Sequence, residues 1–150
     1  MSFNIVLIGP EIPNNTGNIG RLSLASGCNL HLVKPFGFEL SDKRVKRAGL
    51  DYWKHVNLHI YDSVEEFFTL QKGKKFAFFS SKGDQYHWDL NYQKDMFLIF
   101  GKESTGLPDQ IVNDNMDSLY KIPILSQHIR SLNLANAVSV IVYHGLFQLR

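Results

Sequence analysis

The chain has 150 residues, 44% hydrophobic and 20% charged, with 16 Lys and Arg against 14 Asp and Glu for a formal net charge of +2. This composition excludes disordered, collagen-like and coiled-coil classes and fits one domain burying roughly 70% of its unfolded surface. The single cysteine, Cys28, excludes an internal disulfide and a cysteine-rich zinc site.

The elements follow from apolar runs and stop signals. Asn4–Ile8 (NIVLI) reads as a buried strand ending at Gly9-Pro10. Residues 16–26 read as a helix, with Ile19, Leu22, Leu24 and Ala25 apolar and Gly27 as its stop. Residues 30–33 form a second strand, 41–48 a short basic helix closed by Gly49, and 56–61 a half-buried strand. Ser63-Val-Glu-Glu66 is a capping box opening a helix over 64–71. Residues 76–79 and 96–100 are β-like, 109–115 a short helix, 119–122 a short strand and 132–149 the longest helix. No run approaches the roughly 20 apolar residues of a membrane span. Met1–Ile8 lacks the basic lead and cleavage site of a signal peptide, so the expectation is one cytoplasmic domain over residues 1–150.

The order β-α-β-α-β-α-β-β-α-β-α predicts an α/β fold with a mostly parallel sheet and helices on both faces. Ligands in such sheets bind beyond the carboxyl ends of the strands. Three loops there are unusually polar. Pro10–Arg21 (PEIPNNTGNIGR) combines cap residues Asn14, Asn15 and Thr16 with Gly17 and Gly20, and sets Asn18 and Arg21 on one helix face. Taken singly, each of these residues also fits a capped helix with a surface arginine. Phe100–Pro108 (FGKESTGLP) presents two glycines, Glu103 and two hydroxyls, but Leu107 and Pro108 stand where a phosphate loop needs Lys and Ser or Thr. Ile122–Asn136 (IPILSQHIRSLNLAN) leads into the last helix, with Ser131 as its expected N-cap. A cap does not account for Arg130, Asn133 and Asn136 together, because amides within an apolar helix need partners.

Other chemistries lack their signatures. The six histidines are scattered, and His55 and His59 fall in an extended stretch, so no metal site is expected. No dinucleotide fingerprint follows the first strand, and no nucleophile elbow is present. Cys28 reads as core. Lys43-Arg44-Val-Lys-Arg47 places four cations in five residues, and Lys34, Lys82, Lys102 and Arg130 lie in or beside strand-end loops. Such cations form either a solvated face or a basic rim suited to RNA phosphates.

In order, the three loops resemble the three motifs of the SPOUT-class (SpoU-type) RNA 2′-O-methyltransferases. PEIPNNTGNIGRL (10–22), FGKESTGLP (100–108) and IP…RSLNLANAVSVIVYH (122–144) carry the resemblance, with KPFGFELSDKRVKRAGLDYW (34–53) between them. It spans nearly the whole chain and is nearest to the small, single-domain branch that methylates the wobble ribose of tRNA. It implies a C-terminal deep trefoil knot, S-adenosylmethionine as methyl donor without a metal, an anticodon stem-loop as substrate, and a homodimer whose clefts are completed by both chains. By this resemblance Phe79, Gly101, Ile122, Ser131 and Leu132 contact the cofactor. Arg21, Ser131 and Asn133 serve the reaction. Asn14 and Glu103 stand near the reacting centre, and Lys43, Arg44 and Arg130 meet RNA. His144 stands where the family has a glutamate, and 125–129 is one residue longer than in close relatives. The competing readings are methylation of ribosomal RNA or another tRNA site, a non-catalytic RNA-binding protein of the same fold, and a small nucleotide- or flavin-binding protein.

Overall fold

Strand β1 (Asn4–Ile8) is buried throughout. In a computed structural model describing residues 2–41, 43–48 and 52–150, it is followed by α1 (Pro13–Ser26), β2 (Asn29–Val33), α2 (Lys43–Ala48), β3 (Leu58–Tyr61), α3 (Val64–Leu70), β4 (Phe76–Phe79), β5 (Gln85–Tyr86), β6 (Phe97–Phe100), α4 (Asp109–Asp114), β7 (Leu119–Lys121) and α5 (Leu134–Leu149). The sheet runs β3-β2-β1-β6-β4-β7-β5, and every pairing is parallel. The α/β architecture with helices on both faces is as the alternation predicts.

Side chains alternate across β1 because the strand period is two. Ile5 and Leu7 join Leu30, Leu32, Phe79, Leu98 and Phe100 under α1 and α5, with Ile19, Val138, Ile141 and Val142. Val6 and Ile8 enter the opposite layer with Phe67, Phe78, Ile99, Ile111 and Val112, beneath α3 and α4. Each fully buried aliphatic or aromatic side chain contributes about 1.5–3 kcal/mol, so the two layers hold the sheet rigid behind its loops.

Several boundaries move. Helix α1 starts at Pro13 rather than at residue 16, with proline in the first turn, where its missing N–H costs nothing. Asn14, Asn15 and Thr16 are therefore helical, and no side chain caps this helix. Ser63 does cap α3: its Oγ accepts the N–H of Glu66 at 3.0 Å, while Glu66 Oε2 accepts the N–H of Asp62 at 2.6 Å. Residues 53–55 form a 3-10 turn, so β3 begins at Leu58. Strand β5 is absent from the sequence reading; two exposed residues are too short a run to give a periodic signal. Helix α5 is capped by Asn133, not Ser131: Asn133 Oδ1 accepts the N–H of Asn136 at 3.2 Å. Gly49, the expected stop of the basic helix, lies outside the described residues.

Candidate active site

Beyond the carboxyl ends of β1, β6, β4 and β7 lies a cleft of about 730 Å³. It is lined by residues 79–82, 100–107 and 130–134, with Ile12, Asn15, Tyr120, Ile122, Ile124 and Ala137. Phe79, Gly101, Ile122, Ser131, Leu132, Glu103, Arg130 and Asn133 all meet there. The remaining sequence candidates lie elsewhere. Asn14 is exposed on α1 and does not line the cleft, and Lys43 and Arg44 are exposed on α2. Arg21 is exposed, outside the cleft lining, with its guanidinium 5.4 Å from the ring centre of Tyr52. Six residues separate it from Asn15, about 9 Å along a helix.

The loop after β6 folds back on itself. Gly106 N–H donates to Lys102 C=O at 2.9 Å. A Cβ on Gly101 would stand 2.0 Å from the carbonyl carbon of Gly106 and 2.1 Å from Leu107 N, so only glycine permits this closure. Gly106 itself adopts φ 74°, the left-handed region glycine favours.

Two carboxylates tie this loop to the loop after β1. Glu103 Oε1 accepts the N–H of Glu11 at 2.9 Å, and its Oε2 accepts the N–H of Ile12 at 2.8 Å and Asn15 Nδ2 at 3.2 Å. In return, Glu11 Oε1 accepts the N–H of Ser104 at 2.9 Å and its hydroxyl at 2.6 Å. Those bonds to Ser104 hold the Glu11 carboxyl below the usual carboxylate range. Asn133 Nδ2 donates to Asn15 Oδ1 at 3.1 Å, bringing in the third loop. Asn133 thus caps α5 with its oxygen and reaches Asn15 with its nitrogen.

The sequence reading missed Glu11, Asn15 and Ser104. Asn15 had a usable signal: starting α1 at Pro13 fixes the helical phase, and it is Asn15, not Asn14, that turns inward.

Across the cleft, the rings of Phe79 and Phe100 stack at 4.9 Å and 16°, while Lys82, Lys102 and Arg130 bring cations to its lining. Apolar walls with few convergent polar groups characterise small-molecule sites, whose volumes run about 300–1,000 Å³. This combination suits a ligand carrying a flat ring and an anionic end.

The sequence pattern of the SpoU rRNA methylase family matches residues 2–143. The chain belongs to this family. It is 46% identical to the tRNA (cytidine(34)-2′-O)-methyltransferase of Yersinia pestis, over 98% of this chain and 94% of that protein. A solved structure described as "Structural insights into the 2-OH methylation of C/U34 on tRNA" is 41% identical and superposes with a TM-score of 0.93, covering 98% of this chain and 95% of that one. The SpoU methyltransferase AviRb from Streptomyces viridochromogenes, in complex with the cofactor AdoMet, shares the fold at 22% identity and a TM-score of 0.86 over 97% of this chain and 57% of that one. Among the described residues of this SpoU-family chain, no helix is long and apolar enough to cross a membrane.

Proposed function

We propose that this SpoU-family chain transfers a methyl group from S-adenosylmethionine to the 2′-hydroxyl of the ribose at nucleotide 34 of tRNA, accepting cytidine or uridine. The observation that carries this reading is the joining of all three motif loops at one cleft through the Glu103–Asn15–Asn133 hydrogen bonds. Near-full-length similarity to a protein named for that reaction selects the site on tRNA.

The cleft fits the cofactor. Phe79, Ile122 and Leu132 supply apolar walls, Gly101 and Ser131 bring backbone groups, and Arg130 and Lys102 bring charge for a carboxylate. Bound there, S-adenosylmethionine supplies an electrophilic methyl group on a sulfonium. The chain's own residues must align the attacking hydroxyl and help its proton leave. Arg21 is not the base, since a guanidinium presents five N–H donors and no acceptor. Its role is to align the hydroxyl and an adjacent phosphate, with the proton leaving through phosphate or water. Ser131 and Asn133 organise the centre, and Glu103, whose carboxylate is already engaged, positions the loops. Lys43, Arg44 and Arg130 meet RNA phosphates, and Asn14 faces the RNA from α1.

Arg21's position outside the cleft lining supports a homodimer in which Arg21 of one chain serves the cleft of the other. Val140, Tyr143 and Phe147, exposed at helical spacing along α5, give that dimer an apolar face. The resemblance also implies that the C-terminal segment, whose residues 130–134 line the cleft beside 79–82 and 100–107, threads a deep trefoil knot. A tRNA-modifying enzyme of this type works in the cytoplasm. The test is Arg21→Ala. Turnover on tRNA falls at least about 100-fold while S-adenosylhomocysteine still binds. Undiminished turnover, or loss of ligand binding with it, would overturn the assignment.

A further inference from the structure

A second cavity, of about 530 Å³, lies on the far side of the Lys102–Leu107 loop from the cofactor cleft. Lys102, Thr105, Gly106 and Leu107 line both. Its other wall is the loop after β2, through Lys34, Pro35, Phe36 and Gly37.

That wall is fixed in place. Gly37 N–H donates to Pro10 C=O at 2.9 Å, and a Cβ on Gly37 would stand 2.8 Å from Glu11 Cα. Lys34 N–H donates to Tyr61 C=O at 2.9 Å, and Gly9 N–H to Val33 C=O at 2.8 Å. Phe36 is half-buried and stacks with Phe38 at 5.9 Å and 16°. The cavity is therefore preformed.

Its lining combines an aromatic ring, Phe36, with two lysines, Lys34 and Lys102. The two carboxylates in the lining are engaged elsewhere: Glu11 by Ser104, and Asp109 by Lys82 at 3.2 Å. Lys34 pairs with Asp62 at 3.4 Å, but both side chains are exposed, and such a pair yields readily to a phosphate. Single-stranded nucleic acid is held by this combination of base stacking on an aromatic side chain and phosphate contacts to cations.

We infer that this cavity holds a nucleotide flanking the methylated one, its base against Phe36 and its phosphate at Lys34. The inference rests on the RNA-methyltransferase reading and adds a substrate-positioning residue to it. A flanking nucleotide seated on one side of this loop, with the methyl donor on the other, would hold the ribose of nucleotide 34 in register with the methyl group.

The experiment uses anticodon stem-loops carrying one abasic site at each position flanking nucleotide 34, with the wild-type chain and Phe36→Leu. Methylation of the intact stem-loop by the wild type tests the underlying reading separately. For Phe36→Leu, KM for RNA rises about 10-fold, in line with base–aromatic stacking, with kcat and S-adenosylhomocysteine affinity unchanged. One abasic position raises the wild-type KM similarly and adds nothing further in Phe36→Leu. Lys34→Gln lowers the slope of binding against log salt by roughly 0.7, one phosphate contact on a single strand. An unchanged KM in Phe36→Leu, or penalties that multiply at every abasic position, would overturn the inference. A changed oligomeric state in Phe36→Leu would place a second copy of the chain in the cavity and overturn it as well.

Discussion

Glu103 and Glu11 hold each other's loops: the Glu103 carboxylate accepts the N–H of Glu11 at 2.9 Å, while the Glu11 carboxylate accepts Ser104, the residue after Glu103, through both backbone and hydroxyl. Neither carboxylate pairs with a cation in this clasp. Charge-assisted bonds to backbone donors are strong, so the clasp holds without an ion pair.

Glu103→Ala is predicted to leave two backbone N–H groups and the Asn15 amide without their acceptor. Stability falls by about 1–3 kcal/mol, the range for hydrogen bonds to a charged group, and S-adenosylhomocysteine binding weakens with it. Urea unfolding and calorimetric titration measure the two effects. Full stability with unchanged affinity would remove the clasp from the account.

Asn133→Ala is predicted to cost about 1 kcal/mol through loss of the α5 cap. Asn133→Asp keeps the cap acceptor but loses the donor to Asn15, so thermal stability is largely retained while methyl transfer drops. Equal activity in Asn133→Asp and the wild type would show that the Asn15 contact does not matter.

His31 carries a pH dependence. It is buried between Tyr61, at 2.8 Å from Nδ1, and Asn4 Oδ1, at 2.9 Å from Nε2. Burial, helped by His59 stacked at 4.7 Å, pushes its pKa down to about 3 from 6.5. The unfolded chain therefore binds more protons at this site, and His31's contribution is complete above pH 6.5 and lost as pH falls towards 3. Its share of the slope is at most about 1.4 kcal/mol per pH unit. Unfolding free energies of the wild type and His31→Gln, compared across that window, differ in slope. Parallel curves would contradict it.

The proposed homodimer, with Arg21 of one chain serving the cleft of the other, predicts complementation between two inactive variants. Arg21→Ala has a complete cleft but no arginine to lend. Leu132→Asp has the arginine but a carboxylate in the cleft. Mixed and reassembled at equal concentration, they recover about a quarter of wild-type activity, the statistical share of intact sites in a two-fold dimer. No recovery, with mixed dimers demonstrated, would place Arg21 in its own chain's cleft.

The sheet is legible because its central strands are unbroken apolar runs: Phe76–Phe79 is bounded as expected. Edges were less legible. β5 is two exposed residues, and β3 loses its first two expected positions, Val56 and Asn57, which follow the 3-10 turn over Trp53–His55. In the site, motif resemblance gathered Phe79, Gly101, Ile122, Ser131 and Leu132, which share no local pattern. What it could not give was phase. The motif favours Asn14 over Asn15, and Ser131 over Asn133 as the cap, because each choice depends on where a helix begins to within two or three residues. The Glu11–Ser104 bonds span 93 residues and leave no trace in sequence spacing.

The proposed position of methylation, the ribose of nucleotide 34, has a direct test. The measurement is transfer of labelled methyl from S-adenosylmethionine to two anticodon stem-loops, identical except for a 2′-deoxynucleotide at position 34. Label on the ribose of nucleotide 34 in the first and none in the second is the predicted result. Label in the 2′-deoxy substrate, or at any base or other ribose, would contradict it.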